Sequence, residues 1–317
     1  MIEKRKLGTS GLEISRLVLG GNVFGWTADE ANSFRILDAF VDAGGTMIDT
    51  ADVYSFWVEG HSGGESETII GDWLRRDPGK RSKIQIATKA GFNEGLGREV
   101  VRRSCEASLR RLGVETIDLY YLHKDDPDAP LGESLGVFDS LKREGKIRAV
   151  GLSQFSAERL DEAMSVATDA GLERPCAFET WYNLVEREKF EGPLREAAMK
   201  HGLGTIPFYV LANGFLTGKY RRQEDLSKSV RGERSADYLE GRGLRVLEVM
   251  DEIAAETGAP LGAIAIAWTL FQPGIVAALA SASKVDQLQD SLAALMLQLS
   301  PDQMARLDEA SSQTVPA

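Results

Sequence analysis

Residues 47–57 read MIDTADVYSFW, and their pattern decides between the folds that this chain could adopt. Met47 and Ile48 suit a buried strand, whereas the carboxylate of Asp49 follows where the chain leaves the core. Tyr54 comes five residues after that carboxylate. Strands that end on polar side chains are typical of parallel sheets, whose functional groups lie at the carboxyl ends of the strands. The signal is stronger if other predicted strands also end on polar side chains.

Apolar segments predict eight strands, and amphipathic segments between them predict helices. The strands are predicted over residues 16–21, 46–51, 83–89, 118–123, 149–153, 176–182, 204–210 and 275–281. The clearest helical patterns cover residues 29–44, 98–113, 133–145 and 156–171, and each ends on a glycine, a common helix stop. Eight strand–helix units without a linker or repeat favour a single (β/α)₈ TIM barrel over residues 1–317 rather than two domains.

The segment KRKLGTSGLEIS (4–15) predicts an N-terminal β-hairpin around Thr9-Ser10-Gly11, placed to cover the bottom of the barrel. A doubly wound sheet is the competing architecture, and it should carry a GxGxxG fingerprint after its first strand. The segment GGNVFG (20–25) does not fit that fingerprint, because asparagine stands at the second glycine position. The barrel with a hairpin is therefore the predicted fold.

The composition restricts the possible partners. The chain has 48 acidic and 37 basic residues, a net charge of −11, and so acidic a surface repels nucleic acid. No apolar run approaches the ~20 residues of a membrane span, and the start MIEKRKLG lacks the apolar stretch of a signal peptide. The two cysteines have neither a disulfide nor a metal spacing, so no metal is predicted. We expect a cytoplasmic protein with a small-molecule partner, and its oligomeric state stays open.

Three consecutive predicted strands end on or near polar side chains, namely Asp49, Lys89 and His123. Neighbouring strands lie about 4.8 Å apart, so these side chains would meet at one end of a barrel, with Tyr54 folding over them. Each residue alone could be packing or a strand exit, but together they favour chemistry. An ammonium beside a phenol favours the phenolate, so we expect Lys89 to lower the pKa of Tyr54. The cluster predicts general acid catalysis at an oxygen, and a reduction there would need a nicotinamide cofactor.

Motifs in a fixed order support this prediction. The motifs DTAxxY, ATK, YLH and GLSQF begin at residues 49, 87, 121 and 151, and together they resemble the aldo-keto reductases. The segments FETWYNL, IPFYVLANGFLTGKY and SASKVDQLQDS extend the resemblance over nearly the whole chain. The segment YSFWVEGHSGGESETIIGDWL (54–74) is similar to the bacterial branch near the potassium-channel β-subunit type.

The resemblance implies a (β/α)₈ barrel that binds NADP(H) and reduces aldehydes or ketones. It implies Tyr54 as the general acid, Lys89 and Asp49 as the residues that tune it, and His123 as the residue that positions the carbonyl. Two alternatives stay open. One is a cofactor-bound sensor or binding subunit with little turnover, and the other is a barrel aldolase that uses Lys89 as a Schiff base.

The resemblance also assigns cofactor-binding positions. It implies that Ser153 and Gln154 hold the nicotinamide carboxamide and that Phe208 stacks on the ring, with Gln154 standing where asparagine is usual. Glu179 stands where the family has glutamine, and a carboxylate there can accept from the carboxamide but cannot donate to it. The other implied positions are Gly21, Asn22, Asp49, Tyr209, Val210, Leu211, Ala212, Asn213, Lys219, Arg231, Ser281, Ser283, Lys284, Gln287, Asp290 and Ser291.

Two features bear on specificity. Ser283 and Lys284 could hold the 2′-phosphate of NADPH, and because Gln287 stands where some relatives have arginine, we predict a weaker NADPH preference than theirs. Aromatic side chains near the strand ends predict an aromatic-lined mouth, formed by Trp26, Phe56, Trp57 and Trp181. The implied substrate-binding residues are Trp26, Tyr54, Trp57 and His123. The short tail SSQTVPA (311–317) predicts a wide, open site, and the substrate itself is not identified.

Overall fold

The structure is a computed structural model, and it describes residues 2–312. Two short antiparallel strands come first, β1 (Lys4–Lys6) and β2 (Glu13–Ser15). Eight parallel strands follow: β3 (Leu17–Gly20), β4 (Met47–Asp49), β5 (Gln85–Ala90), β6 (Ile117–Leu122), β7 (Ile147–Ser153), β8 (Ala177–Trp181), β9 (Gly204–Phe208) and β10 (Ala278–Ala280). The predicted strands and the predicted hairpin both coincide with these elements.

Helices surround the strands. They are α1 (Glu30–Asp42), α2 (Glu65–Arg76), α3 (Arg98–Leu112), α4 (Leu131–Arg143), α5 (Ala157–Asp169), α6 (Pro193–Lys200), α7 (Arg242–Thr257), α8 (Leu261–Leu270), α9 (Val285–Ala293) and α10 (Pro301–Ala310). Short 3₁₀ helices cover Pro78–Lys83, Arg187–Lys189, Ala212–Thr217, Gln223–Lys228 and Gly232–Tyr238. Local sequence sets several boundaries, since the Asp29 side chain caps α1 at the amide of Asn32 and Gly113 ends α3 in the left-handed region.

The eight parallel strands form one sheet that curls into a nearly closed barrel. Their order is β10-β3-β4-β5-β6-β7-β8-β9. Next to β9, the amide of Val276 donates to the carbonyl of Thr205 at 3.0 Å, which brings the last strand segment back to the sheet. The predicted (β/α)₈ barrel is therefore confirmed. That residues 1–317 form one domain stays a prediction, and residues 313–317 of the predicted short tail lie outside the described part.

The interior of the barrel has an apolar layer near its amino-terminal end, which we call the lower layer. It consists of Val18, Met47, Ala87, Leu119, Ala149 and Ala177, with Leu7 and Ile14 of the hairpin packed against it. The hairpin approaches closely, since a Cβ built on Gly8 would lie 2.1 Å from the carbonyl oxygen of Cys176. The predicted role of the hairpin as a cover for the barrel bottom is in agreement with this packing.

Within residues 2–312, no single helix has the length and apolarity that a membrane span requires. The pair α7 and α8 meets this requirement only when taken together, and the two helices are bent by 99° at the break between them.

Candidate active site

The side chains at the ends of β4 and β5 meet inside the barrel. Asp49 and Lys89 are 0% and 1% exposed, and the Lys89 ammonium donates to Oδ1 of Asp49. The same ammonium donates to the carbonyl of Thr50 at 3.0 Å and to the Tyr54 hydroxyl at 3.1 Å. The Tyr54 hydroxyl in turn donates to Oδ1 of Asp49 at 3.4 Å. The contacts that the strand ends predicted are therefore present between these three side chains.

A second buried carboxyl group belongs to the same cluster. Glu179, in the middle of β8, is 2% exposed, and its Oε2 lies 3.5 Å from Nζ of Lys89. Burial and the charge of Asp49 hold the pKa of Glu179 well above its ordinary value, although Lys89 opposes the shift. Burial likewise raises the pKa of Asp49, against the pull of Lys89. Two carboxyl groups therefore share one cation in a dry part of the barrel.

Tyr121 lies beside this cluster and was not among the predicted site residues. The Lys89 Nζ lies 5.8 Å from the centre of its ring, and burial raises the pKa of its phenol well above the ordinary value. Its ring lies over β7, where a Cβ on Gly151 would come within 2.3 Å of it. We call Asp49, Lys89, Tyr121 and Glu179 the upper layer. Each of them stands two residues after a member of the lower layer on the same strand.

The prediction that Tyr54 has a lowered pKa is wrong. Burial raises the pKa of its phenol above the ordinary value, and the neighbouring Asp49 and Glu179 carboxyls add to the rise. Lys89 does act in the predicted direction, since its ammonium lowers the pKa of Tyr54, but it does not outweigh burial. Tyr54 is thus a neutral phenol at physiological pH, which is the form that can give a proton to an oxygen.

His123 follows β6 and is 6% exposed. Burial, together with the charge of Lys89, holds the pKa of its imidazole well below the ordinary value, so the ring is neutral near pH 7. Its Nδ1 is buried and finds no hydrogen-bond partner within residues 2–312. The ring lies 6.0 Å from that of Tyr54 and 4.8 Å from that of Phe92, centre to centre. A neutral imidazole in this position can bind a substrate oxygen without competing for the proton of Tyr54.

Several implied nicotinamide-binding residues lie along the ends of β7 and β9. The hydroxyl of Ser153 is buried and has no hydrogen-bond partner among residues 2–312, so it could form a hydrogen bond with the carboxamide of a bound nicotinamide. Gln154 is exposed and donates through its side-chain amide to the carbonyl of His123 at 3.1 Å. Phe208 packs edge-on against Trp181, with ring centres 6.1 Å apart. Glu179 instead points into the Lys89 cluster.

The implied pyrophosphate segment follows β9. Tyr209, Ala212 and Asn213 all have positive φ angles, a concave backbone geometry that is suited to binding an anion. Asn213 Oδ1 is buried without a partner within residues 2–312. The remaining members of this segment, Val210, Leu211 and Lys219, are buried or half-buried. The free Asn213 oxygen is an acceptor, so a dinucleotide phosphate at this segment would be bound by the positive-φ backbone and the Lys219 ammonium rather than by that oxygen.

Arg231 connects this segment to the loop after β3. Its guanidinium lies 4.6 Å from the centre of the Trp26 ring, and burial lowers its pKa. Its Nη2 is buried and unpartnered within residues 2–312. The guanidinium therefore lies at the mouth of the barrel with one nitrogen that is free to donate to a ligand.

The implied adenine-end segment packs on the loop after β3. The Ser281 hydroxyl donates to Asn22 Oδ1 at 2.7 Å, and the hydroxyls of Ser283 and Thr27 share a hydrogen bond of 2.6 Å. Lys284 is exposed at the start of α9. On the same helix, Gln287 accepts from the Ser283 amide, Asp290 is exposed and Ser291 is buried. Gly21 of the facing loop donates to the Asp49 carbonyl.

Aromatic rings surround the mouth of the site. Trp57 stands edge-on to Trp26, Tyr54 and Phe56, with ring centres 5.5, 6.2 and 5.5 Å apart. Trp57 and Phe56 are 40% and 39% exposed, so the predicted aromatic mouth faces solvent. Phe92 was missed in the sequence analysis, although it lies two residues after the end of β5, and functional side chains of a barrel are expected just after its strands.

Within residues 2–312, no group of three or more His, Cys, Asp or Glu side chains could hold a metal ion.

Comparison with known proteins agrees with the geometry. The sequence model described as the Aldo/keto reductase family matches residues 16–312. The chain is 32% identical to an "Uncharacterized oxidoreductase YrpG" from Bacillus subtilis (strain 168), over 97% of this chain and 95% of that protein. It is 30% identical to a "Probable voltage-gated potassium channel subunit beta" from Oryza sativa subsp. japonica, over 93% of this chain and 91% of that protein. It is also 30% identical to "Aldo-keto reductase str7" from Strobilurus tenacellus, over 95% and 87%.

Proposed function

Since the chain belongs to the aldo/keto reductase family, we propose that it is an NADP(H)-dependent reductase that converts an aldehyde or ketone into an alcohol. The observation that carries this proposal is the contact of the buried Lys89 ammonium with both Asp49 and the Tyr54 hydroxyl. A neutral phenol in contact with a fixed cation is a proton donor whose anion is stabilised as soon as it forms.

In this mechanism the substrate carbonyl lies between Tyr54 and His123. The neutral imidazole orients the carbonyl oxygen, and Tyr54 gives its proton to that oxygen. A bound reduced nicotinamide supplies the hydride to the carbonyl carbon. Lys89 stabilises the resulting phenolate across 3.1 Å, and Asp49 keeps the ammonium charged and oriented. Because Lys89 is almost fully buried, this electrostatic stabilisation is little screened by water.

The proposed preference for NADPH rests on cationic side chains in the segments that would bind the adenine and phosphate groups of the cofactor. Lys284 lies beside Ser283 at the start of α9, and Arg231 has an unpartnered nitrogen near Trp26. A lysine ammonium and a serine hydroxyl can both bind a 2′-phosphate, whereas NADH needs neither. We infer a preference for NADPH on this basis.

The direct test is NADPH oxidation with a panel of carbonyl compounds that includes 4-nitrobenzaldehyde, followed at the nicotinamide absorbance. We expect turnover with at least one reactive aldehyde and slower turnover with NADH. Tight NADPH binding without any turnover across the panel would contradict a reductase. It would favour a cofactor-bound sensor subunit, an alternative that the naming of the Oryza relative keeps in view.

The aldolase alternative needs Lys89 as a free amine. Burial alone would lower the pKa of Lys89, but the charges of Asp49, Glu179 and Tyr54 raise it above the ordinary value. An ammonium held in this way is a poor Schiff-base nucleophile. Borohydride treatment in the presence of the carbonyl panel should therefore leave Lys89 unmodified, and a trapped adduct on Lys89 would favour the aldolase.

A further inference from the structure

Two carboxyl groups of the upper layer surround a single ammonium. Asp49 and Glu179 are 0% and 2% exposed, and both contact Lys89. If both carboxyls were ionised, the pocket would hold two negative charges against one positive charge in a region that water does not reach. Neighbouring buried carboxyls avoid this state by keeping one proton between them. The geometry therefore favours a pocket with one carboxylate, one carboxylic acid and one ammonium.

The other titratable groups that face the pair carry no charge. They are Tyr54, Tyr121 and His123; burial raises the pKa of both phenols and lowers that of the imidazole, so all three are neutral. Cys176, which precedes β8, is also neutral, because burial raises its pKa to about 11. The neighbouring end of β7 offers Ser153, which does not titrate. Among these groups, Lys89 is the one cation that faces the carboxyl pair.

The proton is located on Glu179 rather than on Asp49. Oδ1 of Asp49 accepts from Lys89 and from Tyr54, so that oxygen is occupied as an acceptor. Its Oδ2 is buried and accepts no hydrogen bond within residues 2–312, so it can accept one from a protonated Glu179. Such a hydrogen bond would raise the pKa of Glu179 and lower that of Asp49. A glutamine in place of Glu179 could make a similar hydrogen bond but could not release a proton.

We propose that Glu179 stores a proton and, through Lys89, returns it to Tyr54 within the catalytic cycle. This inference rests on the reduction proposed above. The route is short: Glu179 Oε2 lies 3.5 Å from Lys89 Nζ, and that nitrogen lies 3.1 Å from the Tyr54 hydroxyl. Glu179 acts through Lys89 and is a positioning residue rather than a group that contacts the substrate.

The O–H bond of Tyr54 breaks as the O–H bond of the alcohol forms, while the reduced nicotinamide gives its hydride to the carbonyl carbon. Lys89 then gives a proton to the Tyr54 phenolate and takes one from Glu179. The cluster is left with a phenol, an ammonium and two carboxylates, one proton fewer than before. A new proton from the solvent then binds Glu179 after the product leaves, which restores the starting state.

This order of proton transfers predicts when the protein takes up a proton from the solution. In a single turnover of the wild-type holoenzyme with 4-nitrobenzaldehyde, in weak buffer with a pH indicator, loss of NADPH absorbance should precede proton uptake. In Glu179→Gln the two signals should have the same rate constant, because Lys89 must then be recharged from water. In wild type, kcat for reduction should fall above the ionisation of the pair to a plateau at which Lys89 is recharged from water, and Glu179→Gln should lack this limb.

Two variants control for a structural role. Glu179→Asp keeps a titratable group, so the delay in proton uptake and the basic limb should both persist. Glu94→Gln changes an exposed glutamate that pairs with Arg103 and should leave both signals as in wild type. Simultaneous loss of NADPH absorbance and proton uptake in the wild type would overturn the proposal, even if Glu179→Gln failed to fold. So would an unchanged delay in a folded Glu179→Gln.

A measurement on the resting protein separates this inference from the proposed function. The infrared difference spectrum of wild type minus Glu179→Gln should contain a protonated carboxyl band near neutral pH that disappears as pH is raised. Absence of the band would overturn the proton store even if the protein is an active reductase. If the band is present but no carbonyl compound is reduced, the proposed function fails and the stored proton stands.

Discussion

The lower and upper layers of the barrel interior differ in chemistry although the same strands build them. On β4, β5, β6 and β8, the lower layer has Met47, Ala87, Leu119 and Ala177, whereas two residues further along stand Asp49, Lys89, Tyr121 and Glu179. One pleat of the strand therefore separates a purely apolar packing layer from a layer with two carboxyls and an ammonium. Both layers are buried.

The difference shows how one interior can serve both stability and chemistry. The lower layer is sealed by Leu7 and Ile14 of the hairpin, so it contributes through burial of apolar surface. The upper layer lies beside Tyr54 and His123, the two residues that we propose contact the substrate carbonyl. Substitutions in the lower layer should therefore change the free energy of unfolding, whereas isosteric substitutions in the upper layer should change turnover. Of the four predictions that follow, in order of decreasing effect, the first two test this division, the third tests the protonation of Glu179 and the fourth tests the cofactor site.

The largest effect is expected for Lys89→Met, which keeps the length of the side chain but removes the upper layer's only cation. Without the ammonium, the Tyr54 pKa rises further and its phenolate loses stabilisation. We expect kcat to fall on the order of 10³-fold with little change in the Kd for NADPH. In contrast, Lys80→Met, at an ion pair with Asp38 outside the barrel, should leave kcat near that of wild type. A folded Lys89→Met with nearly normal kcat would abolish the distinction between the layers.

A lower-layer substitution should have the opposite signature. Leu119→Ala removes a fully buried side chain, and the free energy of unfolding should fall by about 2–5 kcal/mol in denaturant titrations. Well below its melting temperature, the variant should keep a kcat within about twofold of wild type. Met296→Ala, at a side chain that is 82% exposed, should cost less than about 0.5 kcal/mol. Loss of kcat in a stably folded Leu119→Ala would show that the lower layer also shapes the catalytic geometry.

The protonation of Glu179 should appear as a pH dependence of stability. Its folded-state pKa is raised above the unfolded value, so the folded protein holds a proton that the unfolded chain has released. Stability from this group is therefore fully present below the unfolded pKa of about 4.5 and is lost as pH rises towards the folded pKa. Glu179→Gln has no such loss. The free energy of unfolding of Glu179→Gln minus that of wild type should therefore increase with pH above pH ~4.5, by at most about 1.4 kcal/mol per pH unit.

An exposed glutamate provides the matched control for this pH dependence. The pKa of Glu144 is lowered to about 2 by hydrogen bonds from Arg102 and Lys146. Its contribution should therefore be lost on acidification below pH ~4.5 rather than on raising the pH, and it should be small because the ion pairs are exposed. If the difference in free energy of unfolding between Glu179→Gln and wild type does not vary with pH, Glu179 is ionised in the folded protein.

The smallest effect is expected at the exposed Lys284. Lys284→Ala should raise the Kd for NADPH by up to about tenfold, which corresponds to the loss of one charged hydrogen bond of ~1.5 kcal/mol. The Kd for NADH should change less than about twofold, because NADH carries no 2′-phosphate. Lys200→Ala, at an exposed ion pair with Asp161, should change neither constant. Equal weakening of both cofactors by Lys284→Ala would place the phosphate contact elsewhere.

Much of this division could be predicted from the sequence because it follows from strand periodicity. The alternation of Met47 and Asp49, or of Ala87 and Lys89, puts both side chains on the same face of a strand. Which strand ends meet across the barrel could not be predicted in the same way. Glu179 is far from Lys89 in the sequence, and their contact depends on how the strands are staggered when the sheet curls.

The net pKa of Tyr54 was mispredicted for a related reason. The sequence shows that a lysine is near, but it does not show that the phenol is partly removed from water, and burial is the larger effect on its pKa here. The three 3₁₀ helices between residues 212 and 238 also went unpredicted, because segments of six or seven residues carry no readable hydrophobic period.

The most direct test of the catalytic assignment is the comparison of Tyr54→Phe with wild type. The substitution removes one hydroxyl from a ring whose packing on Trp57 and His123 can remain. We predict that kcat for NADPH-dependent reduction of 4-nitrobenzaldehyde falls roughly 10²–10⁴-fold, while the Kd for NADPH and the melting temperature stay near those of wild type. Turnover close to that of wild type in the Tyr54→Phe protein would show that the proton comes from another group.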